Sequence, residues 1–233
     1  MVPTCVSGPR GFVKADGQRG SILTFNSCMF RRMNQNIVAD IAALKASLRA
    51  QARERRAAAY RATGAQIAAQ LSNYLPELYL PSRCVVAGYI QRGSELDPLP
   101  ALKSLRNAGH HLALPVVTAK NAPLVFRTWA PDDPVAPDAQ GLPAPLLSSP
   151  EIAPEVVFVP LVAFDGKGHR LGTGAGYYDR TLPGLRAQNE NLLAVGLAFS
   201  VQQERELPHE ATDVPLDAVI TERGVQWFRQ RKT

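Results

Sequence analysis

The sequence predicts an α/β protein with a mainly parallel sheet, and three observations support this class. Residues 84–117 give a strand (CVVAGYI), a helix (PLPALKSLRNAG) and a strand (HLALPVV) in succession, which is the order of a βαβ unit. The run VVFVPLVAF (156–164) is apolar throughout, as in a parallel strand buried on both faces. The chain has 233 residues, of which 45% are hydrophobic, so it can fill a sizeable core.

The first predicted element is an amphipathic helix that begins at Asn36. Its apolar positions, separated by four, three and four residues, are Ile37, Ile41, Leu44 and Leu48. A basic stripe of nearly the same period consists of Lys45, Arg49, Arg53 and Arg56. At about 100° per residue the two stripes lie side by side, so we expect the cations to border the buried face, where they can reach a ligand. The alternative is a solvated arginine face.

The remaining elements follow from local patterns. We predict a second helix over 64–74 and, after the βαβ unit, strands in LVFRTW (124–129), VVFVPLVAF, LLAVGLAF (192–199) and AVITE (218–222). Residues 129–155 contain seven prolines, so we predict no regular element there and interpret this stretch as a long surface connection within one domain. The sequence contains no internal repeat.

Charge and composition exclude several classes of protein. The net charge is +6, but residues 1–32 hold five basic residues and one acidic residue, which leaves +2 (21 basic minus 19 acidic) for the rest. The body therefore lacks the basic excess of a nucleic-acid binder. No apolar run approaches the roughly 20 residues of a membrane-spanning helix. The three cysteines form no CxxC pair, which favours a reducing compartment, and we expect a cytoplasmic protein without nucleic-acid or membrane partners.

The N-terminal residues differ in character from the rest. Residues 1–35 lack a core pattern, and we predict a disordered extension ahead of a single domain over 36–233, with Met33 as a candidate initiator. Few acids and several Arg and Ser residues also suit an organelle targeting segment over 1–32, which is the alternative. In either case we expect residues 1–32 to be dispensable for folding and turnover.

The stretch RLGTGAGYYDR (170–180) is the candidate site. It places Gly172, Gly174 and Gly176 at every second position; glycine permits positive φ and lets backbone N–H groups surround an anion. The segment after Tyr177 can open a helix, whose N-terminus favours phosphate. Arg170 and Asp179 flank the glycines, as a triphosphate with Mg²⁺ requires. The alternative is a tight structural turn, which is also how we interpret Asp165 in the preceding DGKG.

Other catalytic motifs are missing from the sequence. The glycine spacing is neither GxGxxG nor GxxxxGK[ST], and there is no HExxH or GxSxG. The four histidines have no metal-ligand spacing. The sequence therefore predicts no covalent nucleophile.

Four segments together carry a resemblance to a known family. KASLR (45–49), YIQRGSELD (89–97), FVPLVAFDGKGHRLGTGAGYYDR (158–180) and LPHEATDVPLDAVITE (207–222), in this order, resemble the 5-formyltetrahydrofolate cyclo-ligase family over about residues 40–222. The resemblance implies a three-layer αβα catalytic domain with a central, mainly parallel sheet. It also implies that 5-formyltetrahydrofolate and ATP give 5,10-methenyltetrahydrofolate, ADP and phosphate, through phosphorylation of the formyl oxygen and ring closure by N10.

The resemblance further implies a role for each matching residue. The ATP-binding residues would be Lys45, Arg49, Arg170, Leu171, Gly172, Thr173, Gly174, Ala175, Gly176, Tyr177 and Tyr178, with the three cations on the phosphates. Asp179 and Asp213 would hold Mg²⁺. Ile90, Glu95 and the loop residues Thr173 to Tyr177 would bound the folate, with Glu95 on the pterin's donor edge. Many members carry a bulkier or basic residue at the place of Thr173 or a lysine at that of Ala175, and neither position is charged here.

Two other readings remain open at this point. A catalytically idle relative would bind RNA through the basic N-terminal residues and the arginine helix. Related αβα domains act on sugar phosphates without ATP. The presence of Lys45, Arg49, Asp179 and Asp213 favours ATP, so we expect 5-formyltetrahydrofolate and ATP as the ligands.

Overall fold

The computed structural model describes the backbone of residues 21–229 and the side chains of residues 40–229. Of the described residues, 43–229 form one compact unit, and those up to Ala42 belong to a separate one. The first helix begins at Ser21, before the predicted start at Asn36, because no glycine or proline occurs between Ser21 and Thr63 to interrupt it. Residues 1–20 lie outside the described residues, so the predictions of disorder, targeting and dispensability stay predictions. No helix in the described part has the length and apolarity needed to cross a membrane.

The described chain contains three α-helices, two short 3-10 helices and twelve strands. The α-helices are α1 (Ser21–Gln70), α2 (Leu99–Asn107) and α3 (Tyr177–Gln188), and the 3-10 helices are Leu71–Leu78 and Ser200–Gln202. The strands are β1 (Val85–Ala87), β2 (His111–Val116), β3 (Val125–Thr128), β4 (Val135–Pro137), β5 (Pro143–Pro145), β6 (Val156–Pro160), β7 (Ala163–Asp165), β8 (Arg170–Leu171), β9 (Leu193–Leu197), β10 (Gln203–Glu204), β11 (Ala218–Thr221) and β12 (Gly224–Trp227).

The central sheet has seven strands in the order β12-β11-β9-β6-β1-β2-β3. Its five inner strands are parallel, and the two edge strands β12 and β3 run antiparallel to their neighbours. A three-stranded sheet, β10-β7-β8, carries the chain into the glycine-rich stretch. The predicted α/β class with a mainly parallel sheet is confirmed.

Alternate residues of the inner strands serve two separate cores. Val86 and Phe158 point into a cluster with Leu71 and Leu102, which belong to the first 3-10 helix and to α2. Their strand neighbours Ala87, Val157 and Val159 belong to a second cluster with Leu182 of α3. Because side chains alternate between the faces of a strand, the sheet is covered by helices on both sides, which gives the three layers.

Three predicted boundaries were wrong. The stretch predicted as a separate helix over 64–74 continues α1 to Gln70 and then enters the first 3-10 helix. Position 64 requires glycine because a Cβ there would lie only 2.7 Å from the ring of Tyr60. The apolar run 156–164 forms two strands with a break at Leu161–Val162, and the proline-rich stretch contains the two-stranded hairpin β4–β5. Prolines are tolerated there because each strand has a free edge, where an N–H is not needed.

Asp165 behaves as the predicted turn former and also fixes a distant segment. It is fully buried, and its Oδ1 accepts the N–H groups of Lys167 and His169. Its Oδ2 accepts the Leu207 N–H and lies 3.0 Å from His169 Nδ1. Burial alone would raise the pKa of Asp165, but these hydrogen bonds outweigh it and lower the pKa below 3.8.

We expect Asp165→Asn to lower the free energy of unfolding by about 1.5–3 kcal/mol at neutral pH, since the amide turns N–H groups toward N–H donors. Because the pKa of Asp165 is lower in the folded state, its contribution is present above 3.8 and is lost as the pH falls through the folded-state value. Urea denaturation of wild type and variant at several pH values measures this. The exposed Glu54→Gln is the control; an Asp165→Asn deficit that persists undiminished at the acid end would contradict the prediction.

Candidate active site

The glycine loop, residues 172–176, joins β8 to the first turn of α3. Gly174 has φ +111° and Gly176 has φ +68°, conformations that favour glycine. Gly176 also lies against Arg180, whose Nη1 would be 2.7 Å from a Cβ at that position. The tip, from Thr173 to Ala175, is exposed.

The carbonyl groups of this loop are held by three arginines. Arg49 Nε donates to Gly172 O (3.0 Å), Arg53 Nη2 lies 3.4 Å from Thr173 O, and Arg180 Nη2 donates to Ala175 O (2.7 Å). Among the described residues, none accepts a hydrogen bond from the backbone N–H groups of residues 172–176. The loop therefore offers its donors to an anion, and the N-terminus of α3 adds a second set beside them.

Three of the four residues of the basic stripe lie on the buried face of α1, whereas Arg53 is exposed. Leu44, predicted to be buried, is 51% exposed, whereas Lys45 and Arg56 are 6% and 7% exposed and Ala52 is fully buried. The predicted apolar face was therefore wrong at Leu44. Arg49 is half-buried on the same face, and polar partners on the rest of the domain make the burial of these cations tolerable.

Lys45 is paired with two carboxylates near the end of the chain. Its Nζ lies 2.6 Å from Asp213 Oδ2 and 2.8 Å from Glu210 Oε2. Burial alone would lower the pKa of Lys45, but the hydrogen bonds to Asp213 and Glu210 outweigh it and raise the pKa. For Asp213 the effect of burial is likewise outweighed, by Lys45 and the Glu210 N–H, and its pKa is lowered. Both groups are therefore charged at neutral pH.

Arg170 connects the start of α3 to the same carboxyl-bearing segment. Its side chain is 5% exposed, and Nη2 lies 2.7 Å from Asp179 Oδ1, while Nη1 donates to Val214 O. Asp179 Oδ1 also accepts the Val214 N–H at 3.1 Å. Asp179 is thus brought beside the backbone of the residue that follows Asp213, although the two aspartates are distant in sequence.

The donor set fits a magnesium ion carried by a nucleotide better than a metal held by protein alone. Within the described residues, no group of three or more His, Cys, Asp or Glu side chains has the arrangement of a metal site. Mg²⁺ usually keeps several waters and binds one or two carboxylates together with substrate phosphates. Asp179 and Asp213 supply two carboxylates next to the glycine loop and meet that requirement.

A second polar region follows β1. Ile90 is half-buried there, and Glu95 is only 7% exposed, with Oε2 accepting the Arg92 N–H at 3.0 Å. Burial raises the pKa of Glu95, and the Arg92 N–H and the charges of Arg56 and Arg92 offset this in part. Glu95 is close enough to raise the pKa of the Tyr178 hydroxyl, which burial already raises. The loop after β1 therefore meets the first turn of α3.

Three residues of the site were not singled out by the sequence. Glu210, which pairs with Lys45, lies three positions before Asp213. Arg180 directly follows Asp179, and its guanidinium lies 5.1 Å from the centre of the Tyr177 ring. Arg56 was identified only as a member of the basic stripe. For Arg56 the signal was available, because Lys45, Arg49, Ala52 and Arg56 follow the four, three and four spacing of one helix face.

An open, mainly parallel sheet with helices on both faces and a glycine loop at the start of a helix is an architecture of α/β enzymes, whose ligands bind at the carboxyl ends of the strands. The sequence pattern of one such family, the 5-formyltetrahydrofolate cyclo-ligase family, matches residues 41–222. The chain belongs to this family, whose members are ligases of folate metabolism. The resemblance found in the sequence is confirmed.

Individual relatives agree with this assignment. The 5-formyltetrahydrofolate cyclo-ligase of Haemophilus influenzae is 38% identical over 58% of this chain and 74% of its own length. The enzyme of the same name from Escherichia coli K12 is 34% identical over 68% and 87%. The solved structure of Aquifex aeolicus 5,10-methenyltetrahydrofolate synthetase is similar with a TM-score of 0.64 and 30% identity, covering 82% of this chain and 95% of that one.

Proposed function

We propose that this protein converts 5-formyltetrahydrofolate to 5,10-methenyltetrahydrofolate, using ATP and Mg²⁺ and releasing ADP and phosphate. Family membership supports cyclo-ligase activity. The observation that carries the use of ATP is the glycine loop, whose N–H groups have no protein acceptor within the described residues and lie beside Arg49. Such a constellation suits a chain of phosphates.

The reaction proceeds in two steps that need no covalent enzyme intermediate. The formyl oxygen attacks the γ-phosphorus; the new O–P bond forms as the bond to the bridging oxygen of ADP breaks. N10 then attacks the activated formyl carbon, the C–O bond to phosphate breaks, and the N10 proton is released. Phosphoryl transfer asks the protein mainly to position the reactants and neutralise charge, which is consistent with the missing nucleophile motifs.

The charged residues divide this work. Arg49 uses Nε on Gly172 O, and its Cζ lies 3.9 Å from the position of a Cβ on Gly174, so we assign it to the phosphates. Lys45 and Arg170 are each paired with a carboxylate, and they would share their charge between that partner and a phosphate oxygen. Asp179 and Asp213 would hold Mg²⁺, which when bound neutralises phosphate charge.

Glu95 is assigned to the folate. An ionised carboxylate has two acceptor oxygens and can accept hydrogen bonds from neighbouring N–H groups of a pterin. Its low exposure makes such bonds stronger than they would be in water. Ile90 in the same loop and the loop residues up to Tyr177 would bound the ring.

The geometry of the basic stripe does not support the RNA-binding alternative. Lys45 and Arg56 of the basic stripe are buried, so they are not available to a large polyanion. The sugar-phosphate alternative makes a different prediction, because it requires no ATP.

The purified protein is expected to form methenyl absorbance only when 5-formyltetrahydrofolate, ATP and Mg²⁺ are all present. Omission of ATP, omission of folate and addition of EDTA are the three controls, and quantified ADP should match the product formed. Methenyl product formed without ATP would contradict the proposed use of ATP. No methenyl product from the folded protein under any of these conditions would refute the proposed function.

A further inference from the structure

Arg56 is a buried cation that the reaction above does not use. Its side chain reaches from α1 into the domain, where Nη1 donates to Leu161 O at 3.0 Å and Nε to Ser94 Oγ at 3.2 Å. Leu161 O also accepts Gln202 Nε2 at 2.9 Å. The guanidinium therefore ties α1 both to the break after β6 and to the loop that carries Glu95.

A buried guanidinium stays protonated, and burying its charge is costly unless an opposite charge lies nearby. Glu95 follows directly after Ser94 and is as deeply buried as Arg56. The two groups interact electrostatically, since each shifts the pKa of the other toward its charged form. The bond from Arg56 to Ser94 therefore keeps the guanidinium next to the residue that precedes Glu95, a buried group of opposite charge.

We infer that Arg56 is a positioning residue for the folate substrate, which fixes the Ser94–Glu95 segment against α1 and supplies the positive charge beside the Glu95 carboxylate. This inference rests on the proposed function, in which Glu95 accepts hydrogen bonds from the pterin. It also gives one face of α1 two tasks. Lys45 and Arg49 serve the phosphates at one end, and Arg56 serves the folate loop at the other.

The charges around Glu95 decide how its binding role depends on pH. The charges are those of Arg56 on α1 and Arg92 in its own loop, and the other titratable groups nearby are Tyr89 after β1 and Tyr178 on α3. Both tyrosines stay neutral because burial raises their pKa. Glu95 accepts hydrogen bonds from N–H donors only above its pKa, when it is ionised. Loss of the Arg56 charge raises that pKa further, so folate binding weakens first at low pH.

The test compares KM values for the two substrates across the pH range. In Arg56→Gln, the KM for 5-formyltetrahydrofolate is expected to rise about tenfold or more near the acid end, and to approach wild type as the pH rises. The KM for ATP should stay within about twofold. Arg56→Lys should restore the wild-type profile in part, and the exposed Arg61→Gln on the same helix should change neither KM. The inference would be overturned if both KM values rose in parallel. It would also be overturned if the folate KM of Arg56→Gln depended on pH in the same way as that of wild type.

A second measurement needs no turnover. Protein labelled with ¹³C at the glutamate carboxyl groups is titrated by NMR, with the Glu95 signal identified by its loss in Glu95→Gln. The apparent pKa of Glu95 should be higher in Arg56→Gln than in wild type; equal values would refute the inference whatever the activity. Absence of cyclo-ligase turnover in wild type would instead refute the proposed function alone.

If Arg56→Gln does not fold, Ser94→Ala carries the test, because it removes one anchor of the guanidinium without leaving a buried charge unpaired. It is expected to raise the folate KM severalfold and leave the ATP KM unchanged. A Ser94→Ala enzyme with wild-type KM for both substrates would then overturn the inference.

Discussion

Replacing Arg49 with alanine is expected to raise the KM for ATP by about 10- to 100-fold. A charge-assisted hydrogen bond is worth about 1.5–3 kcal/mol, and each 1.4 kcal/mol is about a factor of ten. Arg49 donates to Gly172 O at the entry of the glycine loop, so the variant loses a phosphate cation and one of the contacts that hold the loop carbonyls. The folate KM should change much less, because Glu95 and Ile90 lie on a different loop.

The matched control for this experiment is Arg61→Ala, an exposed arginine further along α1. Exposed charges contribute under about 1 kcal/mol, so the ATP KM of this variant should stay close to wild type. Arg53 is a poorer control, because its Nη2 lies 3.4 Å from Thr173 O, and we expect Arg53→Ala to have an intermediate effect. Equal and small changes in the ATP KM of Arg49→Ala and Arg61→Ala would indicate that Arg49 is a surface charge that does not contact phosphate.

The features that local sequence determines were predictable. The βαβ order over 84–117 and the continuous apolarity of 156–160 follow from alternation and burial, and they located three of the inner strands, β1, β2 and β6. The glycine loop was located because its function depends on backbone conformation. Positive φ at Gly174 and Gly176 is a requirement that the residue type itself reveals.

The depth of the basic stripe was not predictable from the helix. Periodicity identifies which residues share a face, but it assigned the interior to Leu44 and the border to Lys45, and the structure reverses them. What makes a buried lysine acceptable is a pair of carboxylates, Glu210 and Asp213, that lie 165 and 168 residues further along the chain. No pattern within α1 contains that information.

The break between β6 and β7 also depends on residues that are distant in sequence. The run 156–164 is uniformly apolar, so hydrophobicity predicts one strand. The chain leaves the central sheet after Pro160, and the Leu161 carbonyl is satisfied by Arg56 and Gln202 instead of a neighbouring strand. These partners are distant in sequence, and the same break directs the chain through β7 and β8 to the glycine loop.

Gly172→Ala is expected to lower kcat/KM for ATP by at least about tenfold while leaving the free energy of unfolding nearly unchanged. An ideal Cβ at Gly172 meets no atom of the described residues within 4 Å, and its φ is not in the left-handed region, so the fold tolerates the methyl group. Alanine in an unstrained position even stabilises slightly, by up to about 1 kcal/mol, through the unfolded chain. If loop N–H groups contact phosphate, the methyl group obstructs that approach.

Gly174→Ala is the matched variant, and unlike Gly172→Ala it is expected to lower stability. At φ +111° an alanine is strained whatever the space around it, and among the described residues the only atom within 4 Å of its Cβ is Arg49 Cζ at 3.9 Å. We expect this variant to lose about 1–3 kcal/mol of stability as well as ATP affinity. Only Gly172→Ala therefore distinguishes a ligand-binding loop from a structural turn. Urea denaturation and steady-state kinetics with varied ATP measure both quantities for both variants. If Gly172→Ala keeps the kcat/KM of wild type and Gly174→Ala turns over normally once folded, the loop is only a corner between β8 and α3, and ATP must bind elsewhere.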